Sequence, residues 1–140
     1  TESDLRKGRL SRARFDRAVL TNANLSFSNI SPDASFSHAR TQRALFQRCC
    51  LRGADFSFAD LSGSYLQDAD LRGADFEGAT LSGIHLARAD LRGCKGLPWH
   101  QIDLARGATV TKSDYDAIQG LTDEKKARLR LRVVCDGPQQ

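Results

Sequence analysis

Methionine is absent from this chain, tryptophan occurs once, and proline only three times in 140 residues. So few prolines, with 40% hydrophobic and 27% charged residues, exclude a disordered chain and fit one domain of ordinary size. No apolar run approaches a membrane span, and no basic-then-apolar segment opens the chain. A chain that starts at Thr1 without methionine fits a processed or trimmed product, with loss of a targeting peptide as one route. The four cysteines show no Cys-x-x-Cys spacing, and His38, His85 and His100 do not cluster near them. Adjacent Cys49 and Cys50 would point to opposite faces of a strand, poor geometry for one metal. Isolated thiols are therefore expected, with no metal and no cofactor; a Cys94–Cys135 disulfide stays open, since spacing alone does not decide it. Also missing are a Ser/His/Asp ordering and a phosphate loop, which argues against an enzyme.

What is present is a repeat. Leu5, Leu10, Phe15, Leu20, Leu25 and Ile30, then Phe36, Thr41, Phe46, Leu51, Phe56, Leu61, Leu66, Leu71, Phe76, Leu81, Leu86 and Leu91 recur every five residues with one six-residue step. Seventeen of these eighteen centres are Leu, Phe or Ile. Two places before each centre stands a small residue in nearly every case: twelve Ala, three Ser, Gly8, Cys49 and, as the outlier, Ile84.

Five matches neither the helical period near 3.6 nor the strand period of two. If the centre i and position i−2 point inward, i−1 points to solvent, as in a strand. An odd period would then send the next centre outward unless the chain turns a corner at i+1 and i+2. Gly53, Gly63, Gly73, Gly78, Gly83 and Gly93 all fall at i+2, where a permissive backbone suits a tight turn. A longer period sets the number of sides. "LRGADF" stands at 51–56 and 71–76, "LSG" at 61–63 and 81–83, and "LRG" again at 91–93. Twenty residues, or four repeats, make one coil, so the spacing predicts an all-β, square-section solenoid.

The stretches "ADFSF", "ADLSG", "ADLRG" and "ADFEG" resemble the pentapeptide-repeat family, whose consensus is A(D/N)LXX. The resemblance covers residues 3 to 93, two thirds of the chain. It implies a right-handed quadrilateral β-helix. About four to five coils follow, a rod on the order of 20 Å long at about 4.8 Å per rung. Two defects lie in the first half, where lower local stability is expected: an extra residue in Ser31–Asp33, read as a bulge or widened corner, and Thr41 at a core centre. Residues 1–98 are read as the solenoid and 99–140 as a cap and tail with one or two short helices. Trp99 and Ile102 are expected to cover the open end. "TKSDYDAIQG" reads as a short helix capped by Ser113 and stopped by Gly120, and Asp123–Arg130 as a second helix starting after Thr122. Helix or strand after Arg130 is left open.

A solenoid core carries no chemistry and flat sides offer no cleft, so function is sought on outward positions. One side stacks Arg52, Arg72 and Arg92 beside Cys50, Asp70 and Asp90, a predicted ladder of salt bridges. Another stacks Leu45, Tyr65 and His85, flanked by Arg48, Asp68 and Arg88, with Phe27 lower on the same side; Phe58, above His38, is a further exposed aromatic. These five, Leu45, Tyr65, His85, Phe27 and Phe58, are the candidate interface for a protein partner or a second copy of the chain. The charge is uneven: +6 over residues 1–52, −4 over 53–93 and +2 over 94–140, which sum to the net +4.

The leading functional reading is a non-enzymatic scaffold that binds a protein along one side or through its C-terminal cap. The family resemblance also implies an alternative, a quinolone-resistance type that imitates DNA before bacterial gyrase. Here Asp55, Asp60, Asp70, Asp75, Glu77 and Asp90 would stand for phosphates. Positive net charge and a rod matching about six base pairs at about 3.4 Å each argue against it. Direct nucleic-acid binding, raised by the basic tail "KKARLRLR", lacks any recognised motif. The family's occurrence implies a soluble protein of the bacterial cytoplasm, or of the chloroplast or thylakoid lumen if a targeting peptide was removed.

Overall fold

A computed structural model describes residues 4–136. The backbone winds as a ladder of isolated parallel bridges, one residue wide, every five residues. Their partners lie twenty residues apart, as in Asp55↔Asp75 and Tyr65↔His85, so four columns of bridges run the length of the solenoid. Each side holds only three extended residues before the next corner, which is why little regular sheet forms. The columns contain Asn24, Leu45, Tyr65 and His85; Asn29, Cys50, Asp70 and Asp90; Ser35, Asp55 and Asp75; and Arg40, Asp60 and Thr80. They are called here the Tyr65, Arg72, Asp75 and Asp60 sides.

The hydrogen bonds repeat with the chain. At one rung, the Leu71 N–H donates to Asp90 O at 3.0 Å, the Gly73 N–H to Arg92 O at 3.0 Å, and the Asp70 N–H to Cys49 O at 2.9 Å. The corner closes through the Ala74 N–H to Leu71 O at 3.0 Å. Every corner but one puts its i+2 residue in the left-handed region, with φ between 56° and 71° from Lys7 to Gly93; after Ile30 the extra residue moves that conformation to Asp33, at φ 61°. Glycine was the visible signal, yet Lys7, Phe27, His38, Arg48, Phe58 and Asp68 adopt the same conformation. Each such residue costs roughly 1–2 kcal/mol, offset by the rung bonds and by burial of the centres.

Inside, the small i−2 residues and bulky centres are almost wholly buried, from Ala23 to Leu91. On the Asp75 side the centres Phe15, Phe36, Phe56 and Phe76 form one stack, with ring centroids 4.9, 4.8 and 5.4 Å apart. The polar centre Thr41 is fully buried and donates its hydroxyl to Asp60 O at 3.1 Å, so the expected defect is satisfied internally. The extra residue in Ser31–Asp33 lengthens one coil: bridges from Arg14↔Ser35 to Asn29↔Cys50 span 21 residues instead of 20.

Bridging continues where the repeat spacing stops being regular. His85 pairs with Leu104 and Asp90 with Thr109, after a 3-10 turn at Trp99–Gln101. The strand β1, Thr109–Thr111, then pairs in parallel with β2, Arg132–Val134, so the chain after Arg130 is strand. Between them lie α1, Lys112–Asp116, and α2, Asp123–Leu129. The N-cap of α1 is Thr111, not the expected Ser113: Thr111 Oγ1 accepts from the Asp114 N–H at 3.0 Å in a reciprocal capping box. Ser113 is one residue too late and instead donates its hydroxyl to Asp136 at 2.7 Å. Ile102, Val110 and Leu129 are buried against the last coil, with Trp99, Tyr115 and Leu131 packed beside them. All four cysteines are free. Cys94 donates its thiol to Leu71 O at 3.0 Å, so the Cys94–Cys135 pairing left open by the sequence is not formed. Among the described residues, no helix is long and apolar enough to cross a membrane.

Candidate functional site

Only the outward i−1, i+1 and i+2 positions reach solvent, and each side presents a different chemistry. On the Arg72 side, Arg52 lies 4.0 Å from Asp70, Asp70 2.7 Å from Arg72, Arg72 3.6 Å from Asp90, and Asp90 2.6 Å from Arg92. This is the predicted ladder, and it crosses from coil to coil. Burial alone would raise the Asp70 carboxyl; the hydrogen bonds and charge of Arg72 outweigh it and hold the group below the usual carboxylate range. Cys50 lies in the same column, while Cys49 points into the core, as alternation requires; burial pushes the Cys49 thiol up to about 12. Such a thiol is inert.

The acidic residues singled out by sequence do not converge. Asp70 and Asp90 are tied into the arginine ladder. Asp60 lies on another side, where it accepts from Gln42 Nε2 at 2.7 Å and from Ser62. Asp55, Asp75 and Glu77 share the remaining side. The Asp carboxylates also have a local duty: Asp55, Asp60, Asp70, Asp75 and Asp90 each accept the backbone N–H two residues on.

The Tyr65 side differs. Leu45, Tyr65 and His85 are adjacent in the bridge column and half-buried, and the Tyr65 and His85 rings stack at 4.4 Å with an interplanar angle of 6°. Leu104 extends the column by one rung and is 47% exposed. It escaped the sequence reading because its repeat is centred on Ala105 and sits 19 residues after Leu86 rather than 20. The recoverable signal was "LARGATV", with Gly107 at the corner at φ 75°. Along the edge beside this column, the Arg48 guanidinium sits 5.6 Å from the Phe27 ring, and Arg88 bonds Asp68 at 2.8 and 3.0 Å. That hydrogen bonding holds the Asp68 carboxyl below its usual range. Phe27 is therefore at the corner and 52% exposed, not within the column. Phe58 stands apart, at the corner between the Asp75 and Asp60 sides, stacked on His38 at 5.1 Å and 57% exposed.

A cavity of about 500 Å³ lies at the C-terminal end, lined by Cys94, Trp99, His100, Asp114 and Ile118 among others. Asp114 in its lining accepts from the Gly93 and Thr111 amides, the Cys94 thiol is tied to Leu71 O, and burial raises that thiol. Among the described residues, no group of His, Cys, Asp or Glu is placed to hold a metal ion.

The profile for Pentapeptide repeats matches in eight copies over residues 1–31, 33–68 and 69–95. The fold is similar to that of Rfr23, a pentapeptide repeat protein of the cyanobacterium Cyanothece 51142. The identity is 33%, with a TM-score of 0.54 over 56% of this chain and 52% of that one. A pentapeptide repeat protein of the Arabidopsis thaliana thylakoid lumen is 30% identical, at a TM-score of 0.41, over 64% and 66% of the two chains. QnrB1, a plasmid-mediated fluoroquinolone resistance protein, is 18% identical at a TM-score of 0.50, over 94% of this chain and 65% of that one. The chain thus spans about half the length of Rfr23. No curated protein sequence matches it.

Proposed function

The chain belongs to the pentapeptide-repeat family, and on that footing we propose that it is a non-enzymatic interaction module that binds a protein partner along the Tyr65 side. We take the solenoid to be right-handed, of four to five coils over residues 1–98, with residues 99–140 as its partly helical cap. The observation that carries the reading is the continuous column Leu45, Tyr65, His85 and Leu104, apolar and aromatic where the other three sides carry charge. Removing such surface from water gains free energy, and a rigid rung spacing holds it ready without an ordering cost. Phe27 and Leu104 mark the ends of the patch. A second copy of the chain is as good an occupant as another protein.

The experiment is capture of a partner by the full chain and by Leu104→Glu, with sedimentation of both to read self-association. Leu104 is exposed, so the variant is expected to keep its melting temperature and lose the partner or the self-association. Unchanged association would remove this side from the function. The rival reading, imitation of DNA, is supported by Asp55, Asp75 and Glu77 sharing one side. Inhibition of gyrase supercoiling that is lost on neutralising those three residues would promote it.

A further inference from the structure

The Tyr65 side carries more than its apolar column. Arg43 and Arg48 occupy the two corners of the Leu45 rung, Arg88 the corner after His85, and Arg106 follows Leu104 on the next rung. All four are exposed. The carboxylates beside them are already taken: Asp68 is bonded by Arg88 at 2.8 and 3.0 Å, and Asp103 is paired with Lys125. Arg43 bonds the neutral Asn22 at 3.0 Å and Arg48 lies over the Phe27 ring. Arg43, Arg48 and Arg106 therefore have no ion-pair partner among the described residues. Gln47 and Gln67, between the column and that edge, bury their Oε1 atoms without a donor, so their Nε2 amides are what they can offer a ligand. A partner meets apolar surface bordered by cations and N–H donors. The surface lies along the flank of the rod, so further coils at either end would lengthen it and not cover it.

Resting on the reading of this side as a docking surface, we infer that its occupant is an acidic amphipathic helix of a partner protein, laid along the column. The spacing selects a helix. Leu45, Tyr65, His85 and Leu104 stand one rung apart, about 4.8 Å. A helix returns a residue to one face each turn, about 5.4 Å, and over three steps runs only about 2 Å out of register. Same-face residues of a strand are about 6.7 Å apart and run about 6 Å out. Apolar residues of the helix cover the column, and its flanking carboxylates meet Arg43, Arg48 and Arg106. A second copy is a poor source of such a helix. Its α1 and α2 have five and seven residues, about 8 and 11 Å against about 14 Å of column. Single-stranded nucleic acid would satisfy the cations, but its bases need open ring faces. Tyr65 and His85 cover one face of each other at 4.4 Å, and Leu45 and Leu104 stand in the rungs against the remaining faces.

The test titrates the full chain, followed by NMR, with a stapled helical peptide of about fifteen residues that carries Leu at i, i+4, i+7 and i+11 and Glu on both flanks. The Leu45, Tyr65 and His85 amides are expected to shift, and binding to weaken as salt rises. The same peptide with Lys for Glu, and an unstapled acidic peptide broken by proline, should each bind about tenfold more weakly or worse. Arg48→Glu combined with Arg106→Glu should weaken the acidic helix by a similar factor while the chain stays folded, since both side chains are exposed. Equal binding of the acidic and basic helices, or of the broken and stapled peptides, overturns the inference and leaves the side a docking surface of another kind. Absence of any shift with the acidic helix also overturns it, and loss of partner capture in Leu104→Glu then decides separately whether the side itself stands. A single-stranded oligonucleotide that shifts the same amides more strongly than the acidic helix would replace it with a nucleic-acid site.

Discussion

At the scale of single residues, the Asp of the repeat has two duties that sequence alone does not separate. Its carboxylate accepts the amide two residues on and so stabilises each corner, as Asp75 does for Glu77 at 2.9 Å. That duty explains why the acids recur on every side instead of gathering on one. Asp70 adds a charge pair with Arg72, and its depressed carboxyl makes a pH-dependent contribution. The contribution is full above the ordinary carboxylate value near about 3.9, and is lost as pH falls through the lower folded value. Melting temperature against pH should therefore show Asp70→Asn less stable than the parent at pH 7 and converging with it in acid; a constant gap would contradict the pairing. Glycine at the corners divides in the same way. All six have positive φ, but only at Gly78 would a Cβ fall 2.5 Å from the Phe58 ring, while nothing lies within 4 Å at Gly73. Gly78→Ala should destabilise by about 1 kcal/mol more than Gly73→Ala. The excess should vanish in a Phe58→Ala background, as chemical denaturation of the four variants would show.

At the scale of elements, the legible part was whatever obeyed a strict period. From Leu5 to Leu91 the register of centres, small residues and corners agrees with burial and bridging, because a core this narrow tolerates little else. Legibility failed where spacing slipped by one residue. Leu104 to Val110 continues two columns with Ala105 as a centre, and β2 adds a further pairing after Arg130, where the sequence leaves helix or strand open. The start of α1 failed for a different reason. Thr111 and Ser113 are both good caps by type, and the choice between them depends on where β1 delivers the chain. Thr111→Ala is therefore expected to cost about 1 kcal/mol and Ser113→Ala less, measured by chemical denaturation. The reverse order would place the helix start at Ser113.

At the scale of the whole molecule, a rod whose interior is spent on packing leaves four sides on which function is written. The candidate side was half legible. Leu45, Tyr65 and His85 stood out by type, Leu104 did not, and the acids that pointed to DNA imitation are divided among three sides. The most direct measurement places one exposed substitution on each side, Leu104→Lys, Arg52→Glu, Glu77→Lys and Thr80→Lys, and reads binding of the partner captured by the parent chain together with melting temperature. Leu104→Lys alone should weaken binding, by about tenfold or more, with all four variants melting like the parent. Loss of binding in Glu77→Lys with Leu104→Lys unaffected would contradict the assignment and move the function to the acidic side.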